Sequence, residues 1–293
     1  MNERSKMDKR QLWQSQNFLK NPEFVATLID KTNINPFDTI VEIGPGKGII
    51  TRQLSKRAAR VIAVEYDHEL ASRLKDELKN EHNIEIIKAD FLRWNLPREQ
   101  YKVFSNIPFN MTADIINKLL NGNNPPVATY IIMQDRAAER FMGSPVSKNS
   151  QMSILLQPFF EMGIVTRINR VYYYPVPNVN TVLAKFTRRE KPLIEKGFSR
   201  LYRDFVVYGF NQWKPTILDS FSKIFTNKQM GIMNRKLKLE GEKPSELSLN
   251  QWLGMFDTFI KNVPDERKKL VWGSETKLKS QQARLQKQHR TRK

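Results

Sequence analysis

Short hydrophobic runs recur about every 20 residues through the first half of the chain. They are rich in β-branched and aromatic residues, a composition that favours strands. The runs are Thr39–Ile43, Val61–Val64, Ile84–Ile87, Tyr101–Phe104 and Ala128–Met133. Helical patterns lie between them, for example from Ile49 to Leu54 and from Glu69 to Leu78. Strands that alternate with helices in this way predict βαβ units, and therefore an α/β domain built on a parallel sheet.

The pattern changes in the second half of the chain. Val171–Pro177 is typical of a loop and Val182–Phe186 of a last strand, so we expect the sheet domain to occupy residues 10–189. Beyond this point the apolar residues recur at helical spacing. This spacing predicts a smaller, all-helical C-terminal domain over residues 190–264.

The chain is strongly basic. Its 49 lysines and arginines outnumber its 30 aspartates and glutamates and give a formal net charge of +19. Such an excess indicates a polyanionic partner, with nucleic acid as the first candidate. Residues 265–293 carry ten of the basic residues against three acidic ones. This composition is typical of a disordered basic tail, and we expect one here that contacts phosphate groups.

Several classes of protein are disfavoured by what the sequence lacks. No run approaches the roughly 20 apolar residues of a membrane-spanning helix, and the first ten residues do not resemble a secretory signal. We therefore expect a cytoplasmic protein without a membrane partner. The chain has no cysteine, which excludes thiolate nucleophiles and cysteine-ligated metals. Its three histidines, His68, His82 and His289, are scattered, so we expect no metal site.

Glycines and acidic residues follow three successive predicted strands. The first strand leads into Gly44-Pro-Gly46-Lys-Gly48, a turn that lets the backbone approach a ligand closely. Glu65 follows the second strand, where an acidic side chain accepts hydrogen bonds from ribose hydroxyls in Rossmann-type sites. Asp90 follows the third strand, where a carboxylate can accept from an adenine amino group. Because such strand ends converge on one crevice, the three features together predict a site for an adenosine compound.

The glycine spacing distinguishes between adenosine ligands. Gly-x-Gly-x-Gly differs from the Gly-x-Gly-x-x-Gly of dinucleotide sites, and Lys47 is followed by Gly48 rather than by the Ser or Thr of a phosphate-binding loop. Neither NAD nor ATP is therefore the best fit.

The segment Asn106-Ile107-Pro108-Phe109 follows the fourth strand. An aromatic amine is a poor nucleophile, so an enzyme that modifies it must orient it and stabilise the developing charge. The side-chain oxygen of Asn106 and the carbonyl of Ile107 can accept from an amino group, Pro108 stiffens the turn, and Phe109 offers a face to an unstacked base. Ordinary strand-to-helix turns also use Asn and Pro. The segment therefore indicates a functional site only in combination with the motifs that precede it.

These motifs together resemble the rRNA adenine-N6 dimethyltransferase family. Gln16-Asn-Phe-Leu19 is similar to the family's opening motif, Val41–Gly48 to its cofactor loop, and Asn106–Phe109 to its Asn-Ile/Leu-Pro-Phe/Tyr signature. The similarity extends from about residue 14 to residue 262. It implies a Rossmann-like class I methyltransferase fold with S-adenosylmethionine as the cofactor.

The resemblance also implies roles for individual residues. The expected cofactor contacts are Asn17, Leu19, Gly44, Gly46, Glu65, Asp90, Phe91 and Asn106. Asn106, Ile107, Pro108 and Phe109 are expected to hold the target adenine, and Tyr173 stands where the family has a second aromatic residue, usually Phe, facing that base. The run of three tyrosines at 172–174 leaves the register of that last assignment open.

Two branches of the family compete. The segment 172–181, Ile107 and the Tyr202–Phe205 stretch are more similar to Erm-type enzymes, whereas the small-subunit branch more usually has Asn-Leu-Pro-Tyr. The resemblance to the Erm type implies mono- or dimethylation of an adenine in 23S rRNA, free or in precursor particles, by a monomer. It also implies resistance to macrolide, lincosamide and streptogramin B antibiotics.

Other functions stay open at this point. The first is a small-subunit rRNA dimethyltransferase that acts in ribosome biogenesis. Another is a non-catalytic RNA-binding assembly factor, although a pure binder has no physical need for Gly44, Glu65, Asp90 and Asn106 together. A methyltransferase acting on small molecules or DNA is a third, but DNA amino-methyltransferases have Asn-Pro-Pro-Phe/Tyr where this chain has Ile107.

Overall fold

The computed structural model describes residues 18–291, and the side chains of residues 18–284. The described chain divides into two compact units. The first contains residues 18–138 and Glu161–Arg188, and the second contains Glu139–Phe160 and the residues from Arg189 onward. This division differs from the single boundary expected after residue 189. The reason is that Ile154 and Leu155 belong to the same hydrophobic core as the helices of the second unit.

Seven strands form the main sheet. They are β2 (Thr39–Ile43), β3 (Arg60–Glu65), β4 (Ile84–Lys88), β5 (Lys102–Asn106), β6 (Ala128–Gln134), β7 (Phe160–Ile168) and β9 (Thr181–Arg188). Their order across the sheet is β4-β3-β2-β5-β6-β9-β7. Strands β2 to β6 pair in parallel and β9 runs antiparallel to β6. The expected α/β fold with a mostly parallel sheet is confirmed.

Two further strands form a separate pair. β1 (Phe18–Leu19) runs antiparallel to β8 (Tyr173–Tyr174), with Leu19 opposite Tyr173. The amide of Lys20 also donates to the carbonyl of Tyr172 at 3.0 Å. The segment predicted as a loop at 171–177 therefore contains a short strand that holds the start of the described chain.

Five helices belong to the βαβ pattern or flank it. They are α1 (Pro22–Asp30), α2 (Ile49–Ser55), α3 (His68–Glu77), α4 (Thr112–Leu120) and α5 (Asp135–Met142), the last of which contains the division between the units. Asn21 caps α1 by accepting from the amide of Phe24 at 2.6 Å, with proline at the first helical position. Asp67 caps α3 in the same way. These caps fix where the helices begin relative to the strand ends.

The second unit is helical. Its helices are α6 (Gln151–Leu156), α7 (Ser199–Phe210), α8 (Ile217–Ser220), α9 (Asn227–Leu237), α10 (Leu249–Asn262), α11 (Asp265–Lys268) and α12 (Ser274–Thr291). Phe205 of α7 lies at the centre of its core, with ring centroids 4.6 Å from Phe221, 5.0 Å from Phe259 and 5.4 Å from Phe256. Burying several aromatic rings of this size is the main stabilising contribution to so small a unit.

The expectation of a disordered tail from residue 265 is wrong for the part that the structure describes. Val271 is fully buried in the helical core. The Asp204 carboxylate accepts from the amides of Gly273 and Glu275, both at 2.9 Å, and so caps α12. Glu275 in turn accepts from Nε and Nη2 of Arg203 at 2.9 and 2.7 Å. The prediction of disorder was based on the charge of this segment, which does not indicate that a few of its residues are anchored to the helical unit.

The Arg203–Glu275 pair predicts an acid-dependent step in stability. Burial acts to raise the pKa of Glu275, but the hydrogen bonds and charges of Arg203 and Lys279 outweigh it and lower the pKa to about 2. The stabilisation is then complete above pH ~4.5 and is lost as pH falls towards 2, with an upper magnitude of roughly 3 kcal/mol. Urea unfolding between pH 2 and 5 should show Glu275→Gln without this loss. The exposed Glu266→Gln of the same unit serves as the control, and identical pH profiles for Glu275→Gln and the wild type would contradict the prediction.

Candidate active site

The order of the strands creates an opening between β2 and β5. Chain connections turn from one side of the sheet to the other at this point, and such switch points are where open α/β sheets bind ligands. The ladder between the two strands ends at Val41 and Val103. Beyond it the Ser105 hydroxyl donates to the carbonyl of Ile43 at 2.6 Å and accepts from its amide at 3.3 Å. Ser105, which the sequence analysis did not single out, thus joins the two strand ends just before both functional loops begin.

The glycine loop follows β2. Gly44, Gly46 and Gly48 have φ values of 65°, 56° and 76°, in the left-handed region that side chains other than glycine rarely adopt. The amide of Gly44 donates to the carbonyl of Val64 at the end of β3, 2.9 Å away. The loop therefore turns sharply across the ends of both strands, as the Gly-x-Gly-x-Gly spacing predicted.

Glu65 joins this loop to the end of β3. Its carboxylate accepts from the amide of Gly46 at 3.0 Å and from the amide of Asp67 at 2.9 Å, and the residue is 2% exposed. Burial raises the pKa of Glu65, and the backbone donors partly oppose that rise. A carboxylate oxygen has more than one acceptor site, so these bonds leave acceptor capacity for ligand hydroxyls.

Phe18 lies against the glycine loop. A Cβ atom built on Gly46 would stand 2.7 Å from the Phe18 ring, so the ring covers that glycine closely. Neighbouring Leu19 is buried, and Asn17 lies outside the described residues. Asn17 and Leu19, on either side of Phe18, were predicted as cofactor contacts from the Gln-Asn-Phe-Leu motif. The packing of the Phe18 ring on the glycine loop was not predicted, although Phe18 belongs to the same motif.

Asp90 follows β4 in a tightly held turn. It is half-buried, and its Oδ1 accepts from the amide of Leu92 at 3.0 Å. Phe91 beside it is buried. Lys118 of α4 donates to the carbonyls of Phe91 and Trp94, and its ammonium lies 5.0 Å from the Phe91 ring centre. Lys118, another residue that sequence reasoning missed, thus fixes the turn that carries Asp90.

Asn106 to Phe109 form the turn after β5. Asn106 is half-buried and is the last residue of the strand, paired in register with Ile132 of β6. Ile107 and Pro108 are buried, whereas Phe109 is partly exposed and begins a 3-10 turn. The turn therefore leaves the Phe109 ring partly exposed directly after the end of β5.

Tyr173 is placed differently from what the resemblance implied. It is fully buried, and its hydroxyl lies 2.8 Å from the hydroxyl of Thr181. Burial raises the pKa of Tyr173 well above its usual range. The next residue, Tyr174, is 73% exposed because successive side chains of a strand point to opposite sides. In this structure Tyr173 therefore has no exposed face to offer a base.

A second buried acid lies near the glycine loop. Glu42 of β2 is 1% exposed, and its Oε2 has no hydrogen-bond partner among the described residues. Burial, with the charge of Glu65 adding to it, raises the pKa of Glu42 to about 8, so the carboxyl group is mostly protonated at pH 7. A protonated Glu42 avoids placing two negative charges beneath the same loop.

The arrangement fits an adenosine cofactor. The glycine loop lies across the ends of β2 and β3 with the Phe18 ring packed on it, and carboxylates at the ends of β3 and β4 are acceptors suited to ribose hydroxyls and an adenine amino group. Within the described residues there is no group of three or more His, Cys, Asp or Glu side chains that could hold a metal ion. Nor is any described helix long and apolar enough to cross a membrane.

Comparison with known proteins identifies relatives that methylate ribosomal RNA. The sequence profile of the ribosomal RNA adenine dimethylase family matches residues 7–261. An rRNA adenine N-6-methyltransferase of Bacillus licheniformis is 31% identical over 250 residues, which are 85% of this chain and 86% of that protein. The ribosomal RNA small subunit methyltransferase A of Moorella thermoacetica is 29% identical over 223 residues, or 71% and 77% of the two chains.

A solved structure extends the similarity to the fold. The crystal structure of the 23S rRNA methyltransferase ErmE superposes with a TM-score of 0.76 at 26% identity. The match covers 84% of this chain and 100% of that one. Both the sheet and the helical part therefore have a counterpart among methyltransferases that act on rRNA.

The glycine loop gives a direct prediction. Gly46→Ala should weaken the binding of S-adenosylmethionine about 10-fold or more, because a side chain there collides with Phe18 and a strained backbone costs about 1–3 kcal/mol. Isothermal titration calorimetry measures the affinity. Gly163→Ala is the matched control, since a Cβ at Gly163 meets nothing within 4 Å. Equal affinities for the two variants would contradict the dependence of cofactor binding on the shape of this loop.

Proposed function

Because the chain belongs to the ribosomal RNA adenine dimethylase family, we propose that it methylates N6 of one adenine in 23S rRNA and so protects the ribosome from macrolide, lincosamide and streptogramin B antibiotics. Membership of the family makes the chain an S-adenosylmethionine-dependent rRNA adenine-N6 methyltransferase. The choice of ribosomal subunit and the resistance phenotype are the proposed part. The position of Asn106 at the switch point, beside the loop and acids that fit the cofactor, supports the methylation chemistry. The match to the 23S rRNA methyltransferase ErmE is the observation that carries the choice of the large subunit.

The cofactor side of the site is built from three strand ends. Glu65 accepts from the ribose hydroxyls while it holds Gly46, and Asp90 accepts from the adenine amino group. Phe18 covers the glycine loop and limits the access of water. S-adenosylmethionine supplies an electrophilic methyl group when it is bound there. Asn17, Leu19, Gly44 and Phe91 complete the proposed set of cofactor contacts.

The substrate side is the turn after β5. The Asn106 side-chain oxygen and the Ile107 carbonyl accept from the target amino group and aim its lone pair at the methyl group. Pro108 keeps the turn rigid, and Phe109 stacks on the base after it leaves the RNA helix. The chain needs no general base in this scheme, because the amine proton becomes acidic once nitrogen carries the new methyl group.

We assign Tyr173 a supporting role instead of a stacking one. It is buried, and it pairs with Leu19 in the two-stranded ribbon that holds Phe18 against Gly46. Its hydroxyl group is already satisfied by Thr181. A stacking role for Tyr173 would need the ribbon to open when RNA binds.

Two features favour the large subunit as the substrate. The signature has Ile107, and the segment 172–181 is more similar to Erm-type enzymes. The match to the 23S rRNA methyltransferase ErmE, which spans the whole of that chain, supports the same choice. A small-subunit methyltransferase is also among the relatives, at a similar identity. The small-subunit reaction is therefore the second candidate.

Asn106→Ala should reduce methyl transfer to below about 1% of the wild-type rate, because the loss of an orienting acceptor in the transition state costs roughly 10²–10³-fold. RNA affinity should stay within about twofold of wild type, since Asn106 contributes little to phosphate contacts. Transfer of radiolabelled methyl groups to purified rRNA measures the rate. Asn110→Ala, which changes an exposed asparagine four residues further along the chain, is the control. Wild-type turnover by Asn106→Ala would refute the assigned role.

Mapping the methylated adenine in rRNA identifies which ribosomal subunit the chain modifies. Primer extension on rRNA from cells that express the chain should stop at one adenine of 23S rRNA, and cells expressing Asn106→Ala should show no stop. The same cells should gain macrolide resistance only with the wild-type chain. A stop in 16S rRNA would replace the large-subunit proposal with the small-subunit one. The absence of radiolabelled methyl transfer to either RNA would favour a non-catalytic RNA-binding factor.

A further inference from the structure

A cavity of about 520 Å³ lies within the helical unit, between α7 and the C-terminal segment. This volume falls in the range of about 300–1,000 Å³ that is usual for small-ligand sites. Trp272 and Lys277 line it from the C-terminal segment, and Asn211 and Gln212 line it from the end of α7. Its C-terminal wall lies beyond residue 261, where the match to the family profile ends. The C-terminal wall of the cavity thus lies outside the residues that the family profile matches.

The two walls of the cavity are fixed to one another. Asp204 of α7 accepts from the amides of Gly273 and Glu275, and Arg203 forms a two-bonded ion pair with Glu275. Val271 is buried in the helical core immediately before Trp272. Because these anchors lie on both sides of Trp272, the backbone that carries its ring is held in place before any ligand arrives.

The lining of the cavity has the chemistry of a nucleotide site. Trp272 is 53% exposed and so presents an indole face. Lys269 and Lys277 are exposed and form no ion pair with any described residue. Asn211 and Gln212 add amide groups, and none of the lining residues is acidic. An aromatic face beside unpaired cations and amide groups is the usual combination for holding a single-stranded nucleotide.

We propose that this cavity binds one unstacked nucleotide of the RNA substrate, with the base stacked on Trp272 and its flanking phosphates held by Lys269 and Lys277. The proposal rests on the proposed function for the identity of the RNA, but not on the methylation chemistry. RNA is favoured over an acidic protein segment because Trp272 gives a base a stacking surface that a carboxylate does not use. The +19 charge of the chain agrees with a polyanionic ligand.

The first test removes the aromatic face. We expect Trp272→Leu to raise the Kd for a fluorescein-labelled transcript of the peptidyl-transferase region of 23S rRNA about 5- to 50-fold, and Trp272→Phe to restore most of the affinity. Fluorescence anisotropy measures binding by the full chain. The maximal rate of methyl transfer should stay at the wild-type value while KM rises. If Trp272→Leu acted only by disturbing the fold, the maximal rate of methyl transfer and the thermal stability would both fall, and Trp272→Phe would not restore them.

The matched control is Trp213→Leu. Trp213 is 94% exposed in the same unit but does not line the cavity. We expect this variant to bind the transcript as the wild type does. An equal loss of affinity in the two leucine variants would show that exposed aromatic residues bind RNA non-specifically, and the proposal would be overturned. Unchanged RNA binding by Trp272→Leu would also overturn it, and would leave a protein segment as the occupant.

The second test measures the phosphate contacts. Replacing Lys269 and Lys277 by glutamine should lower the slope of log Kd against log salt by about 1.4, since each single-strand phosphate contact contributes about 0.7. The double variant of Lys191 and Lys223, which are exposed lysines of the same unit outside the cavity, should retain the slope. Equal changes in both double variants would indicate diffuse electrostatics and would contradict a built site.

The two proposals fail in different ways. If the wild-type chain transfers no methyl group to either rRNA, the proposed function fails, while the effect of Trp272→Leu on RNA affinity is still measured. If the chain methylates 23S rRNA and Trp272→Leu binds it normally, the cavity proposal alone fails. Primer extension and anisotropy therefore judge the two proposals separately.

Discussion

The hydrogen bonds of the Glu65 carboxylate are the interaction on which the candidate site depends. They hold the amide of Gly46 at 3.0 Å and that of Asp67 at 2.9 Å, and so fix the loop after β2 against the end of β3. The carboxylate is almost fully buried, a position that would be costly without backbone donors. The same group is suited to accept from ribose hydroxyls. One side chain thus shapes the glycine loop, and we propose that it also binds the cofactor.

The rest of the first unit places other groups around that carboxylate. Ser105 joins the ends of β2 and β5, Lys118 fixes the turn after Asp90, and Phe18 closes over the glycine loop. Asn106 then stands at the end of β5, beside the opening between the strands, where we propose that the methyl donor and the target amine meet. The helical unit has a separate task in this account, because its basic and aromatic cavity binds RNA without taking part in the chemistry.

Local sequence patterns predicted several strands of the main sheet correctly. β2 was predicted at the observed bounds and β6 within about one residue, because buried parallel strands are continuous apolar runs. β4 was also predicted within about one residue, although it is an edge strand without a buried residue, because three of its five residues are isoleucines. β7, where Gly163 and partly exposed positions interrupt the run, was not predicted. The charge of residues 265–293 predicted a disordered tail. Composition does not reveal that Val271 packs in the helical core or that Glu275 pairs with Arg203 of α7. The burial of Tyr173 likewise depends on pairing with a distant segment, which no local pattern encodes.

The measurement that tests the account most directly is the affinity of Glu65→Gln for S-adenosylmethionine. Glutamine keeps the size of the side chain but replaces one acceptor oxygen by a donor. The account predicts a Kd at least about 10-fold higher at pH 7, with the fold retained, because loss of a charge-assisted hydrogen bond costs about 1.5–3 kcal/mol. Glu23→Gln, which changes an exposed acid of α1, should bind as the wild type does. Wild-type affinity in a folded Glu65→Gln chain would contradict the central role given to this carboxylate.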